Sequence, residues 1–189
     1  AKKIGIRMGE PFFKIKELTK NKKISVLSSN YTFYADISNR IMNILKSNLP
    51  SMEIYSIDEA FFSIDIANNK EKFCHELAEK IFRWTGIPVS IGLAKTLAKI
   101  ANRVIKKKDQ YKELKLNYLN VFELNSRQEK YVLENTNVGD VWGIGSGLLN
   151  FLANNKVKNA FQLTKFNEDF ARKKKGIVLL KTILELNGT

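Results

Sequence analysis

The segment Ile54-Tyr55-Ser56-Ile57-Asp58-Glu59-Ala60-Phe61-Phe62-Ser63-Ile64-Asp65-Ile66 sets two adjacent carboxylates between two runs rich in Ile, Phe and Tyr. β-Branched and aromatic residues fit a half-buried pleated surface, so the segment predicts a hairpin over 52–66. On a continuous strand neighbouring side chains point to opposite faces. Asp58 and Glu59 therefore approach one spot only at a turn or strand end. Two acids at one spot repel each other, and a cation that joins them relieves the repulsion. Mg²⁺, which favours carboxylate and phosphate oxygens, suits that place. The other reading is a polar turn that uses Asp for its geometry alone.

The rest of the composition narrows the setting. The chain has 189 residues, 44% of them hydrophobic, enough for a folded core in one or two domains. Lys and Arg number 32 against 19 Asp and Glu, a net charge of +13. Such a surface suits nucleic acid or an anionic membrane face, although a lysine-rich composition alone produces part of the excess. A single cysteine, Cys74, excludes an internal disulfide framework and fits a reducing, cytoplasmic setting. No apolar run approaches the roughly 20 residues of a bilayer span, and no secretory leader is visible. The chain opens on Ala1-Lys2-Lys3 without Met and reads as a piece of something longer.

Periodicity predicts the element order. Gly9-Glu10-Pro11 starts a brief helix through Leu18, and Ile24-Ser25-Val26-Leu27-Ser28 reads as a short strand. A helix spans 31–49, with Tyr34, Ile37, Ile41, Ile44, Leu45 and Asn48 along one stripe, and Pro50 ends it. After the hairpin a second helix covers about 70–85, carrying Phe73, Leu77, Ile81 and Trp84 and stopped by Gly86. Residues 88–93 form a buried strand, 95–106 a third helix and 119–122 a short strand. From about 126 onward only helices and tight turns are expected. Helix-strand-strand-helix-strand is a split βαβ sandwich without its first strand. A gap in such a sheet leaves ladder groups unpaired, so something should fill it: residues 24–28, another chain, or a distortion of the sheet itself.

Two further patterns bear on chemistry. Lys95, Lys99, Arg103 and Lys106 lie within an arc of roughly 80° on a helix, opposite Leu97, Ile100 and Val104, and residues 95–115 hold eight basic side chains against two acidic ones. This is a phosphate clamp or a solvated helix face. Val141-Trp142-Gly143-Ile144-Gly145-Ser146 sets two glycines around one apolar residue, followed by Leu148, Leu149 and Leu152. Without Cβ atoms in the way, consecutive N–H groups can reach a phosphate oxygen, and the next helix start adds its own. That is the helix-hairpin-helix pattern, which grips a DNA backbone without reading bases. Cys74 and His75 have no partners at metal-ligand spacing. Trp84 and Trp142 read as core residues. One histidine leaves no credible Ser/His/Asp or Cys/His arrangement.

Together, Tyr55-Ser56-Ile57-Asp58-Glu59-Ala60-Phe61, Gly92-Leu93-Ala94-Lys95-Thr96-Leu97-Ala98-Lys99-Ile100-Ala101-Asn102 and Val141-Trp142-Gly143-Ile144-Gly145 resemble, in order and spacing, the signatures of the Y-family translesion DNA polymerases. Met8-Gly9-Glu10-Pro11-Phe12-Phe13-Lys14, Ser28-Ser29-Asn30-Tyr31 and Tyr34-Ala35-Asp36-Ile37-Ser38-Asn39-Arg40 resemble its bacterial SOS-mutagenesis branch. The resemblance covers essentially the whole chain. It implies an α+β fold: an incomplete ferredoxin-like palm followed by an all-helical thumb with a helix-hairpin-helix. Residues 1–23 would be part of the fingers, 24–124 the palm and 125–189 the thumb.

By the same resemblance Asp58 and Glu59 are catalytic ligands of two Mg²⁺ ions in error-prone nucleotidyl transfer during SOS DNA repair. Lys2 and Lys106 contact the incoming deoxynucleoside triphosphate. Gly143 and Gly145 match the thumb hairpin on the DNA backbone; with Ser146, and with Lys95, Lys99 and Arg103 on the strength of their own basic row, they are the expected contacts to primer-template DNA. A UmuD-type dimer and a RecA filament are implied as partners. The departures are equally specific. The family's third palm carboxylate, its aromatic steric gate and its little finger do not lie in this sequence. Asn155-Lys156-Val157 replaces an apolar-Gly-Ile turn, and Asn tolerates a left-handed backbone at modest cost. The chain by itself is therefore expected to be nearly inactive, and its other readings are a non-enzymatic DNA-backbone-binding module or a nucleotide cyclase.

Overall fold

The computed structural model describes residues 4–6, 9–21, 24–64, 69–94, 97–114 and 121–188. Helix α1 (Phe12–Asn21) is followed by an irregular stretch, then α2 (Tyr31–Asn48), strand β1 (Ser51–Ile54), β2 (Ala60–Ser63), α3 (Lys70–Thr85), β3 (Ile91–Leu93), α4 (Ala98–Lys106) and β4 (Val121–Glu123). The C-terminal part is helical: α5 (Ser126–Glu134), α6 (Ser146–Asn154), α7 (Ala160–Thr164) and α8 (Glu168–Asn187). None of the described helices is long and apolar enough to cross a membrane.

Local chemistry sets the helix ends. The Asn30 side chain caps α2 by accepting from the Phe33 N–H at 3.0 Å. Leu49, ahead of Pro50, is extended (φ −124°, ψ 135°), as steric conflict with a following proline requires. Gly86 closes α3 at φ 72°, donating its N–H to the Phe82 carbonyl at 2.8 Å.

The strands form two small sheets. β1 and β2 pair antiparallel, Ile54 opposite Ala60, and β3 and β4 pair parallel, Gly92 opposite Phe122. The described strands thus form two separate two-stranded sheets rather than one continuous sheet. The predicted strand 24–28 is not one: residues 24–30 take no regular structure, and Val26 and Leu27 are exposed. Among the described residues no strand pairs with 24–28, and an unpaired strand has no ladder to hold it.

The parallel pair shows period 2 across its faces. Ile91 and Val121 join Met42, Leu45, Leu77 and Ile81 in an apolar cluster under α2 and α3, which also packs Met52, Ala60 and Phe62 of the hairpin. Phe122 faces the other way, into a larger cluster with Ile100, Val104 and Ile105 of α4 and the C-terminal helices. Gly92 also faces α4, and a Cβ there would lie 2.6 Å from the Ala98 carbonyl oxygen and 2.8 Å from the Ala101 carbonyl carbon. Glycine lets strand and helix backbones touch. Helix α4 is thus clamped between the parallel sheet and the C-terminal helices.

Of the predicted stripe of α2, Ile44 and Leu45 are buried and Ile37, Ile41 and Asn48 half-buried, while Met42, outside that stripe, is buried as well. Tyr34 is exposed, as are Tyr31 and Phe33. Trp84 and Trp142 are not core residues either; they are 65% and 49% exposed. Helical spacing placed Trp84 near the stripe of Leu77 and Ile81, but α3 runs past its sheet there, and the indole lies under Lys80 Nζ instead, 4.9 Å from the ammonium.

Candidate nucleic-acid and metal site

The acid pair sits where the hairpin argument put it, on the β1–β2 connection. The N–H groups of Tyr55 and Ser56 both donate to the Glu59 carbonyl at 3.0 Å, closing a tight loop. Ser38 Oγ of α2 donates to the Ile57 carbonyl at 2.5 Å and pins the loop to the helix layer. Ser56 Oγ donates to Asp58 Oδ1 at 2.8 Å, which orients that carboxylate while leaving it exposed. Glu59, one residue before β2, turns towards α4: its Oε2 lies 3.4 Å from Lys99 Nζ.

Lys99 is enclosed by rings as well as by charge. Its ammonium lies 4.0 Å from the Tyr55 ring centre, 4.5 Å from that of Trp142 and 5.4 Å from that of Phe61. Tyr55 meets both Phe61 and Trp142 edge-on, with centroids 5.7 Å apart in each case. Such rings attract a cation through their negative faces. One turn further along α4, Arg103 Nη2 pairs with Asp140 Oδ2. Lys99 and Arg103 are therefore neither a solvated face nor an open clamp. They turn inward to two anions and an indole, so that α4 is stitched to the loop that leads into the glycine hairpin. Helical periodicity fixes the angle between these side chains, but not what they face. Lys106, at the end of α4, is exposed. Lys2 and Lys95 lie outside the described residues.

The hairpin rests on buried Val141 and Ile144, and the Ile144 N–H donates to the Val141 carbonyl at 3.1 Å. Its glycines have different reasons to be there. Gly143 has φ 88°, and a Cβ would meet Thr182 Oγ1 at 2.9 Å; the fold itself demands glycine. Gly145 has an ordinary φ of −81°, and a Cβ there would meet nothing within 4 Å. The fold around Gly145 therefore leaves room for a Cβ. Ser146 begins α6, whose first turn has no side-chain cap. In the 155–157 turn the left-handed residue is Lys156 (φ 62°), while Asn155 has φ −95°. Asn155 remains in the helical sense because it still donates to the carbonyls of Phe151 and Leu152.

Asp58 and Glu59 are the residues here that could hold a cation. Both are hard oxygen donors on an accessible loop, which is the donor chemistry Mg²⁺ takes when substrate phosphates and water complete its shell. Among the described residues no group of three His, Cys, Asp or Glu side chains converges for a metal. Cys74 plays no part: it is fully buried, and burial, with the Glu123 carboxylate adding to it, pushes the thiol up from 9.0 to about 11. Sequence reasoning missed Asp140, and it missed Trp142 as a ring for Lys99. The available signal was their spacing of two residues beside a glycine hairpin, against basic residues four apart on a helix.

A family model described as the impB/mucB/samB family matches residues 1–103. The chain is 38% identical to Protein ImpB of Salmonella typhimurium over 196 residues, covering 100% of this chain and 45% of that one. It is 37% identical to Protein UmuC of Salmonella typhimurium over 193 residues, covering 100% and 44%. The chain thus spans less than half the length of these relatives. Among solved structures, an insertion ternary complex of Dbh DNA polymerase superposes with a TM-score of 0.77 over 100% of this chain and 54% of that chain, at 23% identity, a likeness of fold.

Proposed function

The chain belongs to the impB/mucB/samB family, and from that premise we propose that it is the catalytic part of an error-prone DNA-directed DNA polymerase for translesion synthesis. The observation that carries this reading is the acid pair 58–59, presented on a pinned loop and joined through α4 to a glycine hairpin whose Gly145 has no structural need to be glycine. In this reading residues 1–23 contribute to the fingers, 24–124 form the palm and 125–189 the thumb.

Asp58 and Glu59 hold Mg²⁺, which when bound supplies the charge that sharpens a primer hydroxyl and neutralises leaving pyrophosphate. Ser56 keeps the Asp58 carboxylate in one orientation. Lys106, exposed at the end of α4, with Lys2, takes the incoming deoxynucleoside triphosphate. Gly145 and Ser146 offer backbone N–H groups to a DNA phosphate, Gly143 makes the turn that aims them, and Lys95 adds positive charge. Lys99 and Arg103 act on DNA through the hairpin that they hold. Accessory partners follow the family reading: a UmuD-type dimer and a RecA filament.

A second reading has its own support. Two acids, one of them already paired with a lysine, make a weak metal site, so the 189-residue chain alone works mainly as a DNA-backbone-binding module. Primer extension with Mg²⁺ and four deoxynucleotides, set beside salt-dependent duplex binding, separates the two. We expect binding whose affinity falls steeply with salt and extension near background by this chain. Robust extension that survives Asp58→Asn would overturn the catalytic assignment; loss of all duplex binding at low salt would overturn both readings.

A further inference from the structure

Lys99 occupies the place of a cation. Its ammonium lies 3.4 Å from Glu59 Oε2 and touches the ring of Trp142, which belongs to the glycine hairpin. The carboxylate proposed to bind metal and the hairpin proposed to bind DNA thus share one lysine. We propose that Lys99 is a built-in competitor for the metal: its ammonium holds Glu59 and Trp142 together, and a divalent cation that takes Glu59 displaces it and frees the hairpin. The inference rests on the reading of Asp58 and Glu59 as metal ligands.

The geometry argues for competition rather than coexistence. Mg²⁺ binds oxygen at about 2.0–2.1 Å. An ion on the same Glu59 oxygen would lie at most about 5.5 Å from Nζ, the sum of that bond and the 3.4 Å ion pair. Two like charges at that distance, on a side chain only 26% exposed, repel strongly. The carboxylate has lone pairs for both partners, so the competition comes from this repulsion and not from a lack of acceptors. Lys99 has a flexible four-carbon stem and can swing away. Once it does, Trp142 loses its cation, and Tyr55 keeps only an edge contact with the indole. The Arg103–Asp140 pair, one turn away, stays as the pivot. Occupation of the acidic loop and mobility of residues 141–146 become one equilibrium. By reciprocity, DNA that favours the released hairpin tightens metal binding by the same factor.

The reporter is already in place. Trp84→Phe keeps a ring under Lys80 and leaves Trp142 as the one tryptophan of the chain. In that background Mg²⁺ titration should change Trp142 emission in a saturable way, with a midpoint matching calorimetric Mg²⁺ binding. Adding Lys99→Met, which retains the apolar stem but no charge, should tighten Mg²⁺ at least fivefold and abolish the emission change; Lys99→Arg should restore the competition. Glu59→Gln should remove the response. If Mg²⁺ binds by calorimetry while Lys99→Met leaves its affinity unchanged, or Trp142 does not respond, the competition is wrong and the metal reading stands. If no variant binds Mg²⁺, with or without a deoxynucleotide, both fall.

Discussion

Replacing Gly92 by alanine tests the clamped position of α4 most directly. The added methyl carbon would sit 2.6 Å from the Ala98 carbonyl oxygen and 2.8 Å from the Ala101 carbonyl carbon, with the Asn102 nitrogen closer still. All three obstacles are helix backbone, so no rotamer change relieves the clash. Either α4 moves off β3 or the β3–β4 ladder bends. Overpacking of this kind costs about 1–3 kcal/mol when side chains can adjust, and a rigid backbone places Gly92→Ala at the upper end, about 3 kcal/mol. For a chain of this size each kcal/mol lowers Tm by about 2–4 °C, so the melt should fall by roughly 6–12 °C. Circular dichroism melts and guanidinium titrations measure this. Because α4 also carries Lys99 and Arg103, near-ultraviolet signals from Tyr55 and Trp142 should change below the melt. A Tm within 2 °C of the parent, with those signals intact, would refute the close approach of β3 and α4.

The two hairpin glycines should separate. Gly143→Ala, at φ 88°, should cost about 1–2 kcal/mol of stability, whereas Gly145→Ala should leave the melt unchanged and weaken duplex binding about fivefold, by roughly 1 kcal/mol of a lost backbone hydrogen bond to phosphate. A double-mutant cycle on Arg103→Met and Asp140→Asn should show a coupling of about 1 kcal/mol in stability. If Arg103 instead met DNA directly, Asp140→Asn alone would strengthen duplex binding. Cys74, with its thiol at about 11 against an ordinary 9.0, should react with a thiol reagent at pH 8 at least about a hundredfold more slowly in the native protein than in guanidinium, since thiolate is the reacting form. Equal rates would show that the α2–α3 interior opens.

Much of this architecture is legible in the sequence because single residues punctuate it. Asn30 and Pro50 bracket α2, Gly86 ends α3, and the acid pair falls at the turn between two apolar runs. The acid loop and the glycine hairpin were both visible as local patterns. The remainder depended on partners distant along the chain. Residues 24–28 have strand composition but, among the described residues, no strand beside them. Tyr34 belongs to the predicted stripe of α2 yet is exposed, as are Tyr31 and Phe33. Lys99 and Arg103 look solvated until Glu59, Asp140 and Trp142 are brought opposite them. The left-handed position in the 155–157 turn went to Lys156, because hydrogen bonding to the preceding helix held Asn155 in place.

The larger apolar cluster begins well upstream of the C-terminal helices, with Leu97, Ile100, Val104, Tyr111 and Phe122 all within it. Buried Tyr111 even shares a 2.8 Å hydrogen bond with Thr136 across that boundary. An excision at residue 125 would therefore strip the helical piece of one wall of its own interior. The smallest piece that keeps that wall begins at Leu97, so the join between the two halves is a shared helix rather than a linker.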